Sequence, residues 1–282
     1  MTHWKNDLFF GRNRVCLVYD GRTMKQEISY RGPYLRGITT LKLCVVLALV
    51  FLCTARSEGT TIGVIWSREQ GVVIAADSKT IRMTPEGNTL SFTTCKIRQI
   101  ENVFFAASGV RTGPSFNIDE IATRTLSGPG STLEKVERLH NALLQELPKV
   151  IEQIPPRGLS LGFQYVVAGI ENGQPVVHSL FLPTESRNAA DLKWYSFPRD
   201  VPSDKRSATL FIGRHEVIDS FCADHPEWLS DGDIFERLRE LISMEIQAAP
   251  QFVGEPIDVL FIDSTGAHWI GRTCTSKCPD LR

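Results

Sequence analysis

The sequence predicts an α+β fold, a four-layer α-β-β-α sandwich, for the chain from Thr60 onward. Three observations point there. Apolar, β-branched runs come as hairpins, helical patterns arrive in pairs between those hairpins, and several strand runs are apolar throughout. A doubly wound parallel sheet would instead alternate single strands with single helices. Strands apolar on both faces need cover on both sides, which two stacked sheets with helices outside supply. About 220 residues suffice for one such domain.

The elements follow in order. Residues 60–66 and 71–77 (GVVIAAD) read as strands turned at the polar residues 67–70. Residues 96–100 and 103–107 make a second pair, broken at Glu101-Asn102. A helix is expected over 116–126. A longer one begins near Leu133, with Val136, His140, Leu143, Leu144 and Leu147 at helical spacing and a capping box at Ser131 and Glu134. Pro148 should kink or divide it, and Pro155-Pro156 should end it. Strands 165–170 and 175–181 flank an Asn172-Gly173 turn. Further strands are expected at 192–197 and 209–212, and helices at 216–223 and from Ile234 to Ile246, the latter with Ser230 or Asp231 near its start. Residues 257–262 and 268–270 close the chain as a hairpin turned at Ser264-Thr265-Gly266.

Residues 1–59 differ in character and read as a leader. Residues 43–53 (LCVVLALVFLC) are uncharged, Arg31, Arg36 and Lys42 precede them, and small or polar residues follow. A basic flank, an apolar run and a small-residue exit make residues 38–59 resemble a secretory signal. The run is shorter than the roughly 20 residues of a membrane span. Met24 offers a second start that gives a signal of ordinary length. Cys53 follows Phe51-Leu52 rather than a small residue, so no lipidation is expected. The reading is an exported protein, periplasmic or secreted, that meets a membrane only during export; without the signal it would be cytoplasmic. Cys95, Cys222, Cys274 and Cys278 lie beyond the leader, where an oxidising compartment could pair some of them. Their spacing does not suit a metal, and no cofactor is expected. A net charge of -1 gives no electrostatic reason to expect nucleic acid.

The chemistry-bearing residues lie early in the domain. An N-terminal threonine can be a whole nucleophile unit, because its α-amine can take the proton from its own hydroxyl. That requires a cut just before the threonine, and Glu58-Gly59-Thr60-Thr61 suits one. Asp77 ends the next strand, Lys96 opens a further one, and Gly109 closes the run from Phe104. An ammonium near the Thr60 hydroxyl would favour its ionised form, a carboxylate would hold that ammonium, and the Gly109 N–H could face an oxyanion.

Gly-Thr-Thr-Ile (59–62), Gly-Val-Val-Ile-Ala-Ala-Asp-Ser (71–78), Lys-Ile-Arg-Gln-Ile (96–100) and Ala-Ala-Ser-Gly (106–109) resemble, in order and separation, the opening half of proteasome β subunits and their bacterial relatives, which are N-terminal-nucleophile hydrolases. The resemblance implies Thr60 as nucleophile, Asp77 and Lys96 as its partners, Gly109 as oxyanion donor, a peptide or other amide as substrate, and assembly into homo-oligomers. The Thr60-to-Asp77 separation is about one residue longer than the family's, which the turn at 67–70 could absorb, and two further departures are marked. Ile212 stands where the family carries a serine, and Pro250-Gln251-Phe252-Val253-Gly254 replaces an aspartate and a serine. Three functions stay open: a threonine peptidase, a non-catalytic assembly or binding subunit of the same fold, and a small-molecule amidase.

Overall fold

The structure is a computed structural model that describes residues 57–58, 60–83, 89–113, 115–153, 162–182, 186–226, 228 and 233–272. The leader's apolar run, Cys274, Cys278, Pro155-Pro156, and the Ser230 and Asp231 caps lie outside these residues. The described chain is mixed α/β, with antiparallel sheets and four helices.

The strands are β1 (Ser57–Glu58), β2 (Thr61–Ser67), β3 (Gly71–Asp77), β4 (Lys79–Met83), β5 (Thr89–Thr93), β6 (Ile97–Ile100), β7 (Val103–Val110), β8 (Thr112–Gly113), β9 (Phe116–Asn117), β10 (Phe163–Glu171), β11 (Gln174–Leu182), β12 (Lys193–Phe197), β13 (Ser207–Gly213), β14 (Ile257–Asp263) and β15 (Gly266–Gly271). The helices are α1 (Ile118–Leu126), α2 (Thr132–Gln153), α3 (Glu216–Asp224) and α4 (Ile234–Ala248). Among the described residues, one sheet runs β1-β7-β10-β11-β12, with β6 also paired to β7, and the other runs β13-β2-β3-β14-β15. β4 and β5 form a separate hairpin that the sequence reading did not anticipate.

Strand alternation divides the apolar residues among three clusters. Phe105, Ala107, Tyr165 and Leu180 pack with Leu126, Val136 and Leu143 of α1 and α2. Phe104, Ala106 and Val166 of one sheet meet Val64, Ile74 and Leu210 of the other. Ile65, Val73 and Phe211 pack with Ile218, Leu238 and Ile242 of α3 and α4. The same strands thus feed two clusters each, which is why their sequences lack a polar face.

Local chemistry accounts for the element ends. The capping box at α2 is reciprocal: Ser131 N–H donates to Glu134 Oε2 at 2.7 Å, and Glu134 N–H to Ser131 Oγ at 3.2 Å. Pro148 does not divide the helix, since α2 runs through it from Thr132 to Gln153. Pro148 is exposed, while Leu143, Leu147, Val150 and Ile151 hold one buried stripe on both sides of it. Packing there outweighs one missing backbone hydrogen bond. α1 starts two residues later than expected, because Asn117 caps it by accepting from the Asp119 and Glu120 amides. Asp233 caps α4 by accepting from the Phe235 amide at 2.8 Å. The turn between β10 and β11 places Asn172 at φ 51° and Gly173 at 74°, as an Asn-Gly hairpin requires. Cys95 is disulfide-bonded, and Cys222 is a buried free thiol.

Candidate active site

Thr60 immediately precedes β2, and Asp77 ends β3, its antiparallel neighbour. Both therefore sit at one end of the five-stranded sheet. Lys96 immediately precedes β6 at the corresponding end of the other sheet. Thr60, Asp77 and Lys96 are all essentially buried. Lys96 Nζ donates to Thr60 Oγ1 at 2.7 Å, across the space between the sheets.

Asp77 is held by backbone donors. Oδ1 accepts from the Thr61 N–H at 2.8 Å, and Oδ2 from the N–H groups of Lys79 at 3.0 Å and Gly254 at 3.3 Å. Burial raises its pKa to about 6, against the lowering effects of the Lys96 charge and of these hydrogen bonds. Desolvation is thus the larger influence, and Asp77 remains mostly ionised at neutral pH.

Thr60 is also fixed through its backbone. Its carbonyl accepts from the Arg214 N–H at 2.6 Å, and Thr61 Oγ1 donates to the Arg214 carbonyl at 2.7 Å. Gly213 adopts φ 84°, and a Cβ there would stand 1.9 Å from the Thr60 carbonyl oxygen. Only glycine lets β13 come so close to the threonine. The Arg214 guanidinium reaches back to Glu245 Oε1 at 3.3 Å, a carboxylate buried on α4.

Gly109 lies near the end of β7 at φ 92°, where a Cβ would stand 1.6 Å from the Gly162 carbonyl oxygen. In the ladders it pairs with Phe163 on one side and Glu58 on the other. Its link to the cluster runs through β1, which ends two residues before Thr60. The structure therefore bonds Lys96 to Thr60, fixes Asp77 on the neighbouring Thr61 amide within electrostatic reach of Lys96, and links Gly109 by way of the segment ahead of the threonine.

The two further departures have a clear placement. Ile212 is buried in the apolar layer between the sheets, and Gly213 and Arg214 approach Thr60 by backbone alone. The 250–254 loop likewise contributes a backbone donor, the Gly254 N–H, rather than side chains. Sequence reasoning missed Gln164, a buried residue whose Oε1 accepts the Gly213 N–H at 2.7 Å. Its signal was an amide within the otherwise apolar run at 163–170. A cavity of about 350 Å³ at the other end of the intersheet layer, lined in part by Gln99, Phe104, Ile170 and Trp269, shares no residue with this cluster.

What fold and site define is a mixed α/β chain with a buried threonine–lysine–aspartate cluster between two antiparallel sheets. No protein-family model matches the sequence, and no curated protein does. Among solved structures, the chain is similar to the Anbu (Gly-1) mutant from Hyphomicrobium sp. strain MC1, at 13% identity, covering 76% of this chain and 88% of that one, with a TM-score of 0.46. At that score the likeness bears on neither the chemistry nor the assembly of this chain.

Proposed function

We propose that this chain is a threonine-type N-terminal-nucleophile hydrolase of amide bonds, with peptides as the substrate class. The observation that carries the reading is the 2.7 Å hydrogen bond from a buried lysine ammonium to the Thr60 hydroxyl. The reading includes a four-layer α-β-β-α domain over 60–282 behind a leader of 1–59, and the three apolar clusters support that layering. It also includes export under the signal-like segment, and self-association.

In this mechanism the bond before Thr60 is cut first, which frees an α-amine with a pKa near 8. Oγ1 then attacks the substrate carbonyl carbon while its proton passes to that amine. Lys96 stays protonated and stabilises the charge forming on Oγ1. Asp77, fixed by three backbone N–H groups, keeps the ammonium charged and placed. The Gly109 N–H takes the tetrahedral oxyanion. Collapse breaks the C–N bond, and the amine leaves with the transferred proton. Water hydrolyses the remaining ester and restores the threonine. The pairing of Glu58 with Gly109 supports this arrangement, because it lays the chain ahead of Thr60 along the edge that an extended substrate would follow.

Intact-mass analysis of the purified protein tests the reading. The expected product begins at Thr60 and gains one adduct on Thr60 with a peptide β-lactone. A mature chain that keeps residues before Thr60 and stays unlabelled refutes it. That result would favour a non-catalytic assembly or binding subunit, which the placement of Ile212 in the apolar layer and the backbone-only contribution of the 250–254 loop also suit. A labelled chain that cleaves small amides but no peptide in a library digest would make it an amidase.

A further inference from the structure

We propose that Gln164 is a positioning residue that sets the spacing between Thr60 and Lys96; the inference rests on the nucleophile reading above. Thr60 and Asp77 belong to the five-stranded sheet, and Lys96 to the other. The 2.7 Å bond from Lys96 to Thr60 therefore depends on how the two sheets sit against each other. Most of what joins them is apolar contact, which is non-directional and tolerates small slides. A directional tie near the reacting atoms would remove that freedom.

Gln164 supplies one. It stands on β10 beside Ser108 of β7, at the polar end of the intersheet layer, and is 4% exposed. Its Oε1 accepts the Gly213 N–H at 2.7 Å, from a strand of the opposite sheet and 49 residues away in sequence. The next residue, Arg214, grips Thr60 and Thr61 through its own N–H and carbonyl. The path from Gln164 to the nucleophile is thus one peptide unit long, with no flexible side chain in between. A Cβ on Gly213 would also stand 2.6 Å from Ser108 Oγ, so the turn is seated on both partners of this cross-strand pair. With Ile212 buried and the 250–254 loop offering backbone only, Gln164 is a side chain that takes over part of the orienting role.

The test uses the full-length chain as wild type, Gln164→Met and Gln164→Glu. Methionine keeps the bulk without a comparable acceptor, and glutamate keeps an oxygen at the same reach. Two readouts are taken: the kinetics of Thr60 labelling by a peptide β-lactone, and amide hydrogen exchange over 211–216. For Gln164→Met we expect a maximal labelling rate roughly 100-fold lower, with half-saturation unchanged, since a misplacement of about 1 Å costs that much. We also expect faster exchange at Gly213 and Arg214, and Gln164→Glu should restore both to within a few-fold. Wild-type labelling kinetics in Gln164→Met, or unchanged exchange, overturns the inference. A wild type that never labels overturns the proposed function instead, and exchange at Gly213 and Arg214 then still decides whether Gln164 ties the sheets.

Discussion

Protonating Asp77 should switch the site off and stabilise the fold. Its pKa of about 6 in the folded chain stands above the 3.8 of an ordinary aspartate, because burial outweighs the lowering effects of Lys96 and three N–H donors. On the proposed mechanism the freed Thr60 amine is the first group to titrate on acidification. Its free-base fraction falls about tenfold per pH unit below 8. Below about 6 the ionised fraction of Asp77 falls as well, so a plot of log labelling rate against pH should steepen from a slope of about one to about two. Asp77→Asn should keep the slope near one throughout, at a lower plateau, since an amide offers one oxygen to donors that now share two. Stability moves the other way. A group whose folded pKa is raised binds its proton more tightly in the native state, so stability rises as pH falls from about 6 toward 3.8. That difference corresponds to about 3 kcal/mol. Urea unfolding at pH 7.5 and pH 4 should show wild type gaining about 2 kcal/mol over Asp77→Asn on acidification, most of that difference. A labelling slope that stays at one down to pH 4.5, or a stability gap independent of pH, would refute the reasoning.

Three further outcomes are expected. Lys96→Met should lower amide hydrolysis by about two to three orders of magnitude while leaving the circular dichroism spectrum unchanged, because it removes the charge and keeps most of the buried bulk. Gly213→Ala should destabilise by more than about 2 kcal/mol in urea melts and abolish labelling, since the new methyl collides with the Thr60 carbonyl and the backbone is at positive φ. Ser131→Ala should cost about 1 kcal/mol in the same melts and leave labelling at the wild-type rate, because it removes a helix cap remote from the site.

The fold was legible where local signals agree. Gly71–Asp77 was read to the residue, because a β-branched apolar run lies between a turn glycine and charged neighbours. The Asn172-Gly173 hairpin and the Ser131–Glu134 box are likewise short-range devices with fixed residue types. The β4–β5 hairpin was not legible: KTIRM and TLSFT mix polar and apolar residues without a long apolar run. At the candidate site, Thr60, Asp77 and Lys96 stood out in the sequence as chemistry-bearing side chains at strand ends within the family-like motifs, and the structure gathers them at one end of the two sheets. Gln164, Gly213 and Gly254 were missed because they act through hydrogen bonds to residues distant in sequence, and two of them act by backbone. Sequence reading also weighed Pro148 by its intrinsic effect on a helix. The outcome was set by the buried stripe on both sides of it.

A strand edge can be used once at a time. Along one edge β7 is covered by β6 from Val103 to Ala106 and by Ser57 and Glu58 at Gly109 and Val110. While those two residues hold their ladder, no further extended chain can pair with Gly109 on that edge. The uncut protein is thus its own occupant, and its first guest on that edge is itself. On the proposed reading this amounts to a safety interval: until the bond before Thr60 is cut, that edge is already taken, and it would become vacant only when residues 57 and 58 depart.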